Sequence, residues 1–348
     1  MCTSFVIKTQ DGSPIYGRTM EWGAFDLQAD LVLVPRNLPF TSELGEGKQG
    51  MKWSNRYGYV AINAVKKPFV TDGMNETGLT MGVLYFPGFA EYQQLETGKE
   101  SLTVNNVDLS AYILGQFETV EAIQKELPKL WVVYNKDIAK AFGAPAPLHL
   151  IITDKTGASI VIEYVGGKLN IHDNKIGVMT NAPTYDWHIL NLRNYPQLRA
   201  FGNPTDRQIE GVSLAPFGAG SGMLGLPGDA TPVSRFVRAV AFTKTLIPPK
   251  DIEAGVNEAA RILNNFDISR GLVREGESPE NYHLNFTQWT TIGDIKNKRY
   301  YWWTEFNRRM RVVDLKELNF AGNKIRSIPL DEVRTEDIKD RTKTLISR

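Results

Sequence analysis

Cysteine is almost missing: one stands in 348 residues, at position 2. An intrachain disulfide is therefore excluded, which suits a reducing compartment. Histidine is nearly as scarce, and the four at 149, 172, 188 and 283 show neither His-x-x-x-His spacing nor a neighbouring cysteine pair. No metal and no other cofactor is expected. Neither sign of charge is in excess, since 40 Lys and Arg against 39 Asp and Glu leave a formal +1. That balance argues against nucleic acid or a membrane surface as partner. No run approaches the ~18 consecutive apolar residues of a membrane span, and the N-terminus lacks the charged and apolar regions of a signal peptide. A cytoplasmic protein is expected. The glycine-rich run 218–228 lacks the Gly-Lys-Ser/Thr ending of a phosphate loop. There is no internal repeat and no linker, so residues 1–348 are read as a single domain, with 42% hydrophobic residues to fill its core.

What is present begins at Cys2. Once Met1 is removed, Cys2 carries a thiol and a free α-amino group on one residue. An α-amino group with a pKa of about 7.7–8.0 can take the proton of a thiol with a pKa of about 8.5, so no histidine is needed as base. A lone cysteine is otherwise a small buried hydrophobe. Thr3–Lys8 and Pro14–Arg18 flank the turn Asp11-Gly12-Ser13 and read as a hairpin. Such a hairpin pins Cys2 and brings Arg18 back beside it, where its charge favours the thiolate; the alternative for Arg18 is a solvated strand-end charge. Glu21 can hold the α-amino group, and Met20, Trp22 and Phe25 can line a pocket or simply be core.

Further along, strands are predicted at 31–34, 57–65 and 79–86, a surface loop at 41–50, and a turn-rich link at 72–78 in which Asn75 is given no catalytic role. Helices are predicted at 107–117 and at 120–127, the second capped by Thr119. Trp131 and Tyr134 lie in a stretch that can cover a pocket. Three short strands follow at 149–153, 159–164 and 168–172. Asn181 follows a strand that ends at Thr180, a place for an oxyanion donor or for turn chemistry. Residues 196–222 read as an excursion from the domain body. A helix introduced by residues 229–235 and running to about 246, and another at 253–264, precede strands at 287–294, 299–304 and 310–314, and the tail after 330 is charged and peripheral. Helices between two blocks of strands fit a layered sandwich.

Several segments, taken together and in order, resemble the choloylglycine hydrolase family: Met1-Cys2-Thr3, Gly17-Arg18-Thr19-Met20-Glu21, Val178 to Thr184 with Asp186-Trp187-His188, and Leu226 to Asp229 with Thr231-Pro232 and Ser234-Arg235-Phe236. The family contains conjugated bile acid hydrolases and penicillin V acylases, within the N-terminal-nucleophile hydrolases. The resemblance implies an α+β fold, a four-layer αββα sandwich of two antiparallel sheets flanked by helices, and hydrolysis of a non-peptide carboxamide. It also implies roles for residues: Cys2 as nucleophile, Arg18 beside the thiol, Asn181 and the Tyr85 backbone N–H as oxyanion donors, and Arg235 as polar support. Glu21 stands where the family usually has aspartate, and Tyr85 where bile acid hydrolases often have asparagine and penicillin V acylases often tyrosine. The implied substrate is an amphipathic acyl amide packed on Met20, Trp22, Phe25, Trp131 and Tyr134, either a conjugated bile salt or penicillin V. An N-acyl homoserine lactone, or a silent binding role on the same fold, is the alternative. A homotetramer is implied, with the excursion at 196–222 reaching a neighbour.

Overall fold

The computed structural model describes residues 1–135, 137, 140, 146–202 and 207–346, with the backbone alone at 67 and 68. Strand Cys2–Lys8 pairs antiparallel with Pro14–Trp22, the hairpin expected from the sequence. This hairpin lies inside a 7-stranded sheet whose order runs Val178–Met179, Cys2–Lys8, Pro14–Trp22, Asn281–Asp294, Arg299–Thr304, Arg311–Asp314, with Val273–Ser278 also on Asn281–Asp294. An 8-stranded antiparallel sheet runs Lys168–Asp173, Ser159–Val165, Leu148–Thr153, Thr80–Tyr85, Lys67–Asn75, Tyr59–Ala64, Asp30–Val34, Arg326–Pro329. Helices Pro232–Thr245 and Ile252–Leu263 cover the outside of the first sheet, and Leu109–Gln116 covers the outside of the second. The four layers are thus αββα.

The layering explains why so many strands read as continuous apolar runs. Along Tyr59–Ala64 alternate residues enter different cores: Val60 and Ile62 join the cluster between the sheets, whereas Tyr59 and Ala61 join the one beneath Leu109–Gln116. Three helices begin at side-chain caps. Thr119 Oγ1 accepts from Ala122 N, Thr231 from Ser234 N, and Asp251 from Ala254 N.

Some expectations need correction. The loop at 41–50 is instead the hairpin Pro39–Gly45/Lys48–Ser54, turned by Glu46 and Gly47 at φ 53° and 73°. Its solvent face is polar enough to mask the alternation. The link at 72–78 is mostly strand, because Lys67–Asn75 runs through it and buries Asp72 and Asn75. Asn75 does make the turn: its Oδ1 accepts from Thr77 N and Leu79 N. Helix Tyr185–Asn191 and strand Val273–Ser278 were not anticipated. In the excursion at 196–222, residues 203–206 fall outside the described ones. The rest carries a small hairpin, Gln208–Ile209/Val212–Ser213, with Phe201 and Phe217 open to solvent. No described helix is long and apolar enough to cross a membrane.

Candidate active site

The register of the N-terminal hairpin sets the site. Cys2 faces Met20 and Ser4 faces Arg18, so these four side chains share one face of the pleat. That face looks onto the second sheet, where Arg18 Nη2 donates to the Val83 carbonyl at 2.5 Å. Cys2 Sγ lies 3.5 Å from Arg18 Nη2 and 3.7 Å from Met20 Sδ. Arg18 is 1% exposed, so it is not a solvated strand-end charge. Its counter-ion is Asp72, with Nη1 3.7 Å from Oδ2. Asp72 also receives hydroxyls from Tyr16 at 2.8 Å, from Thr291 at 3.0 Å, and from Tyr300. Burial raises the Asp72 pKa, with Arg18 and the hydroxyls opposing. Burial alone would lower the Arg18 pKa; the charges of Cys2 and Asp72 outweigh it and hold the guanidinium above its ordinary value. Gly82 makes the close approach possible, because a Cβ there would come within 2.1 Å of the Tyr16 hydroxyl and 3.2 Å of Arg18 Cδ.

Asn181 stands on the other side of Cys2. Its Oδ1 accepts from Cys2 N at 2.7 Å and from Arg235 Nη2 at 2.7 Å, and its Nδ2 donates to the Tyr85 carbonyl at 2.7 Å. With Oδ1 taken by two donors the amide cannot flip, and one Nδ2 proton is left to aim elsewhere. Arg235 ties the site together from helix Pro232–Thr245. Its Nη1 donates to the Cys2 carbonyl and, at 2.7 Å, to Thr3 Oγ1, while Nε donates to Ala230 O at 2.9 Å. The structure therefore gathers Cys2, Arg18, Tyr85, Asn181 and Arg235, which lie far apart in the chain.

Glu21 is close but not bonded to Cys2 N while Met1 is in place. Its backbone pairs with Met1 instead: Glu21 N donates to Met1 O at 2.9 Å, and the Met1 amine donates to Glu21 O at 2.7 Å. The carboxylate is fully buried. Oε1 accepts from Thr287 Oγ1 at 2.9 Å, and Oε2 has no hydrogen-bond partner among the described residues. Burial raises its pKa, against the pull of Arg235 and the chain's amino terminus.

An apolar cleft with a cavity volume of about 80 Å³ opens beside the thiol. Among the described residues its lining includes Cys2, Met20, Trp22, Phe25, Leu27, Phe69, Tyr85 and Leu148. Trp22 sits edge-on to both Phe25 and Tyr85, each at 5.5 Å. Trp131 and Tyr134 do not line this cleft. Trp131 belongs to the separate two-stranded ribbon of Trp131–Val133 and Thr103–Asn105, where Lys99 Nζ lies over its ring at 4.4 Å, and Tyr134 stacks on Tyr92 at 6.2 Å.

Asp72, Thr287, His149 and His188 also enter the site, and linear spacing gave no hint of them. His149 Nε2 lies 3.0 Å from the Thr180 carbonyl and His188 Nε2 lies 2.9 Å from the Asn181 carbonyl. Only the Asp186-Trp187-His188 motif carried a signal, and it did not specify a role. Among the described residues no group of three or more His, Cys, Asp or Glu is placed to hold a metal ion.

The profile of a family described as linear amide C–N hydrolases, choloylglycine hydrolase family, matches residues 2–331. The bile salt hydrolase/transferase of Clostridium perfringens (strain 13 / Type A) is 32% identical over 331 residues, 94% of this chain and 96% of that one. The penicillin V acylase of Pectobacterium atrosepticum is 30% identical over 337 residues, 92% of this chain and 82% of that one. The solved structure of a variant conjugated bile acid hydrolase from Clostridium perfringens is similar with a TM-score of 0.82 at 30% identity, covering 97% of this chain and 99% of that one. This chain belongs to the choloylglycine hydrolase family and is a hydrolase of linear amide C–N bonds.

Proposed function

We propose that the reaction runs through Cys2 as an N-terminal nucleophile after Met1 is removed. The observation that carries this reading is the position of Sγ, 3.5 Å from a buried guanidinium and at the head of an apolar cleft, on a residue whose own nitrogen is 2.7 Å from Asn181 Oδ1. The liberated α-amino group takes the thiol proton, and the thiolate adds to the amide carbonyl. Arg18 favours the thiolate, while Asn181 Nδ2 and the Tyr85 N–H stabilise the tetrahedral oxyanion. Collapse breaks the C–N bond, and the α-ammonium protonates the departing amine. Water, deprotonated by the same α-amino group, then adds to the thioester, releases the acid and restores the thiol. The unpartnered Glu21 Oε2 is the acceptor that we assign to the α-ammonium between steps. Glutamate, one methylene longer than the family's usual aspartate, keeps Oε1 on Thr287 and leaves Oε2 for that role.

For the substrate, we read an amide with a slim apolar acyl group and a polar amine. Trp22, Phe25 and Tyr85 close on an aromatic-walled slot beside the thiol, and Tyr85 stands where penicillin V acylases often have tyrosine, which favours a single-ring acyl group of the penicillin V kind over four fused rings. Conjugated bile salts are the second reading, favoured by the bile salt hydrolase/transferase among the relatives. The test is release of the penicillin nucleus against release of glycine or taurine, with an N-acyl homoserine lactone as third substrate. Penicillin V is expected to give the highest kcat/KM. A higher value on glycine or taurine conjugates overturns that order, and no turnover of any of the three by protein lacking Met1 overturns the whole substrate class.

The exposed hairpin at 208–213, with Phe201 and Phe217 open to solvent, is the arm we assign to subunit contact in a homotetramer. Light scattering on the purified protein should return four times the chain mass; a monomer removes the assignment.

A further inference from the structure

The oxyanion amide of Asn181 is held from both sides of its Cα, by separate sets of residues. Its side-chain Oδ1 is fixed by Cys2 N and Arg235. Its main chain leaves the sheet just after strand Val178–Met179, where the carbonyls of Thr180 and Asn181 must find partners outside the ladder. Both partners are histidines. His149 Nε2 meets Thr180 O at 3.0 Å and His188 Nε2 meets Asn181 O at 2.9 Å. A carbonyl only accepts, so both rings carry a proton on Nε2.

Each ring is locked in turn. His149 stacks on Phe86 with centroids 4.3 Å apart, and its Nδ1 lies 3.2 Å from Glu163 Oε1. His188 stacks on Phe236 with centroids 4.5 Å apart. Phe236 follows Arg235 on the same helix, so the element that clamps the Asn181 side chain also supports the ring beneath its carbonyl. Both histidines are fully buried. Glu163 further accepts the Tyr185 N–H at 3.0 Å, which ties the start of helix Tyr185–Asn191, and hence His188, to the same carboxylate. Burial lowers the His188 pKa to about 4, in keeping with a neutral ring that donates from Nε2 alone.

We propose that His188 and His149 are positioning residues that hold consecutive carbonyls of residues 180 and 181 and so aim the Asn181 Nδ2 proton at the oxyanion. Neither ring touches substrate. The inference rests on the oxyanion role proposed for Asn181. A displacement of about 1 Å in such a donor is enough to cost on the order of 10²-fold in rate, because its worth lies in being fixed before charge develops.

The test is a double-mutant cycle with steady-state kinetics and thermal unfolding read together. His188→Phe is expected to lower kcat about 10- to 100-fold with KM within about three-fold, and His188→Gln, whose amide can take the Nε2 place, to stay within about three-fold of the parent in kcat. In an Asn181→Ala background, His188→Phe is expected to change kcat by no more than about three-fold. A further drop of about ten-fold or more in that background overturns the inference, as does a rise in KM at unchanged kcat. Should His188→Phe not fold, the same cycle is read on His149→Leu, and a loss of about ten-fold or more in His188→Gln overturns the inference regardless. Asn181→Ala alone tests the oxyanion role, so failure of that role and failure of the clamp give different results.

Discussion

Cys2→Ala is expected to lower kcat by about 10⁴-fold or more while leaving the fold intact. The fold survives because Cys2 contributes a small side chain to a pleat whose neighbours, Met20, Ser4 and Arg18, keep their own partners, including the Arg18 bond to Val83 O and its ion pair with Asp72. The rate does not survive because the chain has no second thiol, and the Thr71 hydroxyl in the cleft lining is spent donating to the Ile62 carbonyl at 2.9 Å. Cys2→Ser separates thiol from position: an alkoxide is far harder to form than a thiolate at neutral pH, so serine is expected to fall close to alanine. The companion measurement is intact mass, which for the working protein should be short by one methionine. Retained Met1 in a fully active preparation, or steady turnover by Cys2→Ala, would remove the N-terminal nucleophile.

The second large effect belongs to Asn181→Ala, for which about 10²- to 10³-fold lower kcat is expected, with substrate affinity little changed. That loss corresponds to about 3 kcal/mol of transition-state stabilisation. The sign follows from geometry. Alanine removes the Nδ2 donor, and it also strips the acceptor from Cys2 N and from Arg235 Nη2, two buried donors that the amide now serves at 2.7 Å each. Asn181→Asp sharpens the reading, since it keeps the acceptor for both donors but puts negative charge where the proposed oxyanion would sit. It should therefore be as slow as alanine or slower. An Asn181→Ala enzyme within about three-fold of the parent in kcat sinks the assignment.

How much of this was legible beforehand depends on whether an interaction is local in sequence. The hairpin that carries Cys2 and Arg18 was readable, because β-rich segments on either side of Asp11-Gly12-Ser13 specify register by themselves. The helix start at Thr119 was readable for the same local reason, and residues 229–235 marked the opening of the next long helix without showing which residue caps it. In the sequence Asp72 reads as part of a turn, and only the folded sheet shows why a carboxylate stands there: it balances Arg18 across the gap between the two sheets. His149 and His188 had no ligand spacing because they serve carbonyls rather than a metal, and a carbonyl partner leaves no trace in residue type. Trp131 lies in a stretch whose sequence can cover a pocket, yet in the fold its strand pairs with Thr103–Asn105 and its ring packs under Lys99.

The seat of Met1 has a practical consequence for making the protein. Its carbonyl and amine are both engaged by the Glu21 backbone, and strand Cys2–Lys8 has a neighbour on either side. An affinity tag fused ahead of Met1 would keep the Cys2 nitrogen acylated and would have to thread through that seat. The opposite end, exposed from Glu332 to Ile346, is where a purification handle belongs.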